Sequence, residues 1–165
     1  SLAALGRHEE ALELYDQAIQ INPHYAGTYN NKGLSLAALS RHEEALEVYN
    51  QAIQLNPKYA GTYNNKGASL EALSRHEEAL ELYDQAIQIN PKYPGTYNNK
   101  GLNLASLGRH KEALELYDQA IQINPKYVGA YNNKGLSLAS LGRHEEALEL
   151  YDQAIQINPH YAGTS

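Results

Sequence analysis

Apolar positions along this chain recur at helical spacing, in paired stretches broken by the same short punctuation. From Ala26 to Leu39, the residues Tyr29, Gly33, Leu36 and Leu39 fall three or four apart, the spacing of one helix face. From Glu43 to Leu55, a second stripe is formed by Ala45, Leu46, Tyr49, Ala52 and Ile53. Ser40 lies between the two, and Gly6, Gly108 and Gly142 at the equivalent places suit a left-handed helix stop. Glu43 and Glu44 occupy the first turn of the second stretch, where negative charge favours the helix dipole. Asn56-Pro57 closes it, because the residue before Pro is pushed out of the helical region. The pattern predicts helix, tight turn, helix and a short Pro-containing turn.

This unit repeats. The word Tyr-Asn-Asn-Lys-Gly begins at Tyr29, Tyr63, Tyr97 and Tyr131, always 34 residues apart. Asn-Pro recurs at Pro23, Pro57, Pro91, Pro125 and Pro159, and Arg-His at Arg7, Arg41, Arg75, Arg109 and Arg143. Ankyrin repeats come nearest to this period, but their Thr-Pro-Leu-His word is absent. The chain therefore parses as a single array: a partial unit (1–25), full units 26–59, 60–93, 94–127 and 128–161, and a stub 162–165.

Small residues at fixed places explain how the helices close on one another. Gly33, Ala45 and Ala52 recur in every full unit and allow close approach. Tyr at the fourth position of a unit (Tyr29, Tyr63, Tyr97, Tyr131) and at the twenty-fourth (Tyr15, Tyr49, Tyr83, Tyr117, Tyr151) then fills the space between helices. Losing one such aromatic, if fully buried, costs roughly 3–5 kcal/mol. The composition fits, since 14 Tyr stand in a chain without Phe, Trp, Met or Cys.

Charge and cysteine content narrow the chemistry. A net charge of −6 with no basic run argues against nucleic acid, whose binders need clustered cations to release counterions. No apolar stretch approaches the roughly 20 residues that span a bilayer, so no membrane partner is expected. Without Cys there is no thiol nucleophile, thiolate metal site or disulfide. The compartment stays open, with the cytoplasm as the default.

These residues resemble the tetratricopeptide repeat family over essentially the whole chain. The family's spaced aromatic, Gly, Ala and Pro positions fall on Tyr29, Gly33, Leu36, Ala45, Tyr49, Ala52 and Pro57. Two regular departures are Tyr where the family has Trp, and Lys32, Lys66, Lys100 and Lys134 where it has Leu before Gly. A Lys there is expected to lay its stem along the groove wall with its ammonium in water. The resemblance implies an all-α, right-handed solenoid of antiparallel helix pairs, with the first helix of each pair lining a concave face. It also implies a partner, namely an extended peptide or a helix of another protein held in that concavity.

The family's groove positions fall in the first full repeat on Gly27, Asn30, Asn31, Leu34, Ala37 and Ala38, and in the second on Gly61, Asn64, Asn65, Ala68, Glu71 and Ala72. The later repeats contribute Asn98, Asn99 and Leu102, then Asn132, Asn133 and Leu136. The candidate site is thus a double row of Asn with aliphatic neighbours. An Asn amide offers donor and acceptor together, matching a peptide unit. The row Asn31, Asn65, Asn99 and Asn133 resembles the asparagine ladder in the superhelix of the O-linked N-acetylglucosamine transferase. The same row could instead fasten neighbouring helices. The companion row Asn30, Asn64, Asn98 and Asn132 is the stronger functional candidate, and changing Asn30 or Asn64 should weaken binding with little effect on stability. Eight hydrogen bonds at roughly 0.5–1.5 kcal/mol each, less the cost of ordering a peptide, set a ceiling near micromolar, about −8 kcal/mol. Leu34, Leu102 and Leu136 could raise it. The family's cationic clamp for a terminal carboxylate is absent, because its slots hold Asn, Leu or Ala, and Gly.

Other residues carry less. His8, His42, His76, His110 and His144 lack a second His four residues on, so a helix-start packing role is expected rather than metal binding. His24 and His160 replace Lys at a turn and should face solvent. A periodic array spreads its groups evenly, so neither a catalytic cluster nor a cofactor site is expected. Acidic residues such as Glu77, Glu78, Glu81 and Asp84 form a solvated outer wall or a second surface for a basic partner. Residues 7–28 and 143–164 are identical, which suggests duplication within a longer array. Solenoids normally carry capping helices, so an uncovered apolar face on the last pair, with weak head-to-tail self-association, is expected. The rival to peptide binding is an architectural spacer or self-assembling rod.

Overall fold

The computed structural model describes residues 2–159, with side chains from Gly6 onward, and His160 and the stub 162–165 lie outside them. Among the described residues the regular elements are nine α-helices. By its internal contacts the chain divides into two compact units, residues 1–89 and 90–165.

The first unit holds α1 (Leu2–Ile21) and two helix pairs: α2 (Ala26–Ala38) with α3 (His42–Leu55), and α4 (Ala60–Ala72) with α5 (His76–Ile89). The second holds α6 (Pro94–Ser106) with α7 (His110–Ile123), and α8 (Val128–Ser140) with α9 (His144–Ile157). Both kinds of helix form where the apolar spacing places them. The even-numbered ones are the first helices of each pair.

The tight turn is built by backbone bonding. Arg41 N donates to Leu36 O at 2.8 Å and Ser40 N to Ala37 O at 2.9 Å. These six-to-one and five-to-two bonds make a Schellman stop, which requires a left-handed residue in the middle. Gly108 (φ 78°) and Gly142 (φ 79°) supply it without strain, whereas Ser40 and Ser74 adopt φ 62° with a Cβ to accommodate. Gly6 does not end a helix, contrary to its expected role: α1 runs through it.

The Pro turn is closed by Asn. Asn22 Oδ1 accepts from His24 N at 3.1 Å, and Asn56, Asn90 and Asn124 accept from the backbone N–H two residues on in the same way. The next helix is then tied back to this turn by Tyr. The Tyr29 hydroxyl donates to Pro23 O at 2.9 Å, and Tyr63, Tyr97 and Tyr131 do likewise to Pro57, Pro91 and Pro125. A buried phenol needs such a partner.

The core of each pair is an aromatic ring seated on a glycine. Tyr49, Tyr83 and Tyr117 are fully buried, and Tyr15 and Tyr151 are half-buried. A Cβ on Gly33 would overlap the Tyr49 ring, and one on Gly101 would lie 2.5 Å from Tyr117 Cε1. Around these rings the first unit packs two clusters, Leu12, Leu36, Ala45 and Val48, then Leu46, Leu70, Ala79 and Leu82. The second unit packs Leu138, Ala147 and Leu150 with Leu114 and Tyr131 beside them.

In two repeats the Lys before the central Gly takes a different place from the groove wall expected of it. Lys32 Nζ meets Asp16 of the preceding second helix at 2.8 Å, and Lys134 meets Asp118 at 2.7 Å. Its charge therefore joins one repeat to the last, because a carboxylate stands within reach on that side.

Candidate peptide-binding groove

Neighbouring first helices bring the Asn rows side by side within each unit. In the first unit, Asn65 Nδ2 donates to Asn30 Oδ1 at 3.2 Å. In the second, Asn133 Nδ2 donates to Asn98 Oδ1 at 3.0 Å. The two rows thus bond to each other from one repeat to the next. Asn30 and Asn98 are buried, while Asn31 is exposed and Asn64, Asn65, Asn99, Asn132 and Asn133 are half-buried. Asn30 is consequently part of the packing as well as of the candidate site. The expectation that its loss would leave stability nearly unchanged does not hold for a buried, bonded amide.

The aliphatic positions divide in the same way. Leu34 and Leu136 are exposed, Leu102 is half-buried, and all three line shallow hollows. Leu34, Ala37, Ala68 and Asn65 surround one of about 100 Å³ whose floor is Tyr49, His42 and Ser69. Leu102, Ala105, Leu136 and Asn133 surround one of about 230 Å³ over Tyr117, His110 and Ser137. Each floor is a polar set beneath an apolar rim. His42 Nδ1 lies 3.2 Å from Ser69 Oγ, and His110 Nδ1 lies 3.3 Å from Ser137 Oγ. Burial pushes the Tyr49 hydroxyl up to about 12, only partly opposed by its hydrogen bond to Ser69. That places His42 and His110 in inter-repeat packing.

A larger hollow of about 560 Å³ opens beside Asn30 and Asn31 and was not foreseen. Tyr25, Tyr59, His24, Gly27, Leu55 and Thr62 help to line it. Tyr25 is 63% exposed and Tyr59 53% exposed. Gly27 matters here because a Cβ would come within 2.9 Å of the Tyr25 ring. The signal was present in the recurrence of Tyr25, Tyr59, Tyr93 and Tyr127 just before each first helix.

The groove positions of the first unit carry one ionisable side chain. Glu71 stands where the other full repeats have Ala37, Ala105 and Ala139. The buried Tyr83 hydroxyl donates to Glu71 Oε2 at 2.9 Å. Burial raises the Glu71 carboxyl above the usual carboxylate range, against the opposing effects of that bond and of His76. Tyr83 is raised too, by burial first and by Glu71 second.

Outside the groove the surface is held by local pairs. Arg41 grips Glu44 with two bonds, Nε to Oε1 at 2.9 Å and Nη2 to Oε2 at 2.7 Å, and Arg75, Arg109 and Arg143 repeat the arrangement. Each Arg holds its Glu below the usual carboxylate range. Among the described residues no three His, Asp or Glu side chains gather as a metal site requires, and no helix is long and apolar enough to cross a membrane.

Profiles described as Tetratricopeptide repeat match residues 58–126 and 98–162, and one described as TPR repeat matches 1–40 and 33–74. The chain belongs to the tetratricopeptide repeat family. No curated protein sequence matches it. Among solved structures, the array is similar to TTC0263, a thermophilic TPR protein in Thermus thermophilus, at 26% identity and a TM-score of 0.83. That match covers 98% of this chain and 89% of the other. MamA matches at 24% identity and a TM-score of 0.82, covering 96% of this chain and 92% of its own, and supports the fold alone. YrrB, described as a TPR protein with an unusual peptide-binding site, matches at 25% identity and a TM-score of 0.74, over 98% of this chain and 83% of its own. The neighbours place the tetratricopeptide chain in the all-α solenoid class, and repeats of this family are generally non-enzymatic interaction modules.

Proposed function

We propose that this chain holds an extended segment of another protein along the faces of its first helices, gripping the segment's backbone through the Asn rows. The observation that carries this reading is the bonding of Asn65 to Asn30 and of Asn133 to Asn98. A side-chain amide fixed by a neighbour is pre-organised, so less entropy is lost when its remaining hydrogen-bonding edge meets a peptide group. The exposed Asn31, the hollow edged by Tyr25 and Tyr59, and the aliphatic rims at Leu34 and Leu136 supply further contact. The family and a neighbour with a peptide-binding site support the same reading.

The test compares proteins retained from a cell lysate by the wild-type array and by a variant carrying Asn31→Ala, Leu34→Ala and Leu136→Ala. These positions are exposed or lie on hollow rims, so the variant should keep its thermal midpoint. Partners lost from the variant support the groove; identical retention refutes it.

A second reading rests on the apolar side of α9. Leu148 is 61% exposed and Ile155 42% exposed there. Two copies meeting head to tail could cover them. Sedimentation showing only monomer at millimolar concentration would exclude this mode.

A further inference from the structure

The groove reading leaves open what distinguishes one extended segment from another, and the repeats differ at one groove position in a way that bears on it. Among the groove positions of the first unit, every side chain is neutral except Glu71. Its carboxylate is anchored from below by the Tyr83 hydroxyl at 2.9 Å, through one oxygen. Glu71 is half-buried, and the packing beneath it is the closed core of α4 and α5, with Tyr83 fully buried. A carboxylate held by a core tyrosine is fixed in position.

We infer, resting on the groove reading, that Glu71 is the specificity-determining residue of the first unit and takes an Arg side chain of the bound segment. Charge complementarity selects the occupant. The single negative charge among the first unit's groove positions favours a cation in addition to its neighbour His76, and a guanidinium offers several donors in fixed geometry to a carboxylate already using one oxygen. Partial desolvation strengthens the attraction relative to the exposed outer-wall acids.

Register follows from the same geometry. The hollow of about 100 Å³ rimmed by Leu34, Ala37 and Ala68 lies over the core Tyr49 and suits a small aliphatic side chain. Glu71 occupies the place of Ala37 one repeat later. The hollow also borders Ala68, three residues before Glu71 on the same helix, where such positions stand roughly 5–6 Å apart, and an extended chain rises about 3.3 Å per residue. The Arg therefore falls about two residues from the aliphatic residue, as in Val-x-Arg or its reverse.

The full chain is immobilised and offered two synthetic peptide libraries. In one, a fixed Val-Ser-Arg core, in both directions, is flanked by randomised residues; in the other, Gln replaces Arg. The wild type should retain the Arg library about tenfold better, the scale of one charge-assisted hydrogen bond, and the preference should shrink in high salt. Glu71→Gln keeps an acceptor for Tyr83 and should retain both libraries equally. Glu71→Ala, which copies the other repeats, should behave as Glu71→Gln does. Equal retention by the wild type overturns the inference while leaving the groove reading intact, provided Asn31→Ala lowers both libraries. An Arg preference that survives Glu71→Gln also overturns it. Retention of neither library overturns the groove reading together with the inference.

Discussion

Asn65 donates its side-chain amide to Asn30 Oδ1 at 3.2 Å, so the fifth position of one repeat orients the sixth position of the next. Truncating Asn30 removes a buried acceptor and leaves a half-buried amide unmatched. Asn30→Ala should lower stability by about 1–2 kcal/mol, whereas Asn31→Ala should change it by less than about 0.5 kcal/mol. Urea unfolding of both variants, with a double-mutant cycle through Asn65, measures the difference and the coupling.

Gly33 and Gly101 should tolerate no side chain. A methyl at either must enter the ring of Tyr49 or Tyr117, both of which are fully buried. Gly33→Ala should cost about 1–3 kcal/mol or more, and a second change of Tyr49 to Leu should recover part of that loss. Thermal denaturation of the single and double variants checks it.

The turns of the first unit are less well made than those of the second. Ser40 and Ser74 sit at φ 62°, where Gly108 and Gly142 sit in the later repeats. Left-handed backbone costs a residue with a Cβ roughly 1–2 kcal/mol, and Gly gives back about 0.5–1 kcal/mol in unfolded-chain entropy. Ser40→Gly and Ser74→Gly should each raise stability by up to about 1 kcal/mol and add when combined, as read from denaturant midpoints.

The fold was legible because one period carried both the helical stripe and its stops. Tyr49, Gly33 and the Asn-Pro turns could be placed from spacing alone. Sequence did not show which Asn face outward, because Asn30 and Asn31 are adjacent and identical. Only the approach of the neighbouring helix makes one buried and the other exposed. Lys32 was misplaced for a similar reason: its partner, Asp16, lies on the preceding helix and is close only after packing. Tyr25 and Tyr59 were visible as a recurring pair but carried no helical pattern to give them a face.

Asn50 stands where the other repeats carry Asp, so Lys66 lacks the carboxylate that Lys32 and Lys134 have. Burial lowers the Lys66 ammonium below its ordinary value, with Glu78 opposing. Asn50→Asp should restore the pair and add at most about 1 kcal/mol after solvent screening. The gain should fade in high salt, a dependence that thermal melts across a salt series will show.

Alkali should unfold the array through its core tyrosines. Tyr49 is raised from 10.0 to about 12 by burial, so the folded chain keeps a proton that the unfolded chain releases. The stability this contributes is fully present below about pH 10 and is lost as pH rises towards about 12. Tyr49→Phe should flatten that part of the stability–pH curve, provided urea midpoints are compared within each variant.

The most direct measurement places a photo-crosslinking side chain at Leu34, on the groove face, or at Gln51, exposed on the second helix of the same repeat. After irradiation in a cell lysate, a polypeptide joined through Leu34 and absent from Gln51 is the expected result. Crosslinks through Gln51 with none through Leu34 would contradict the groove as the binding face.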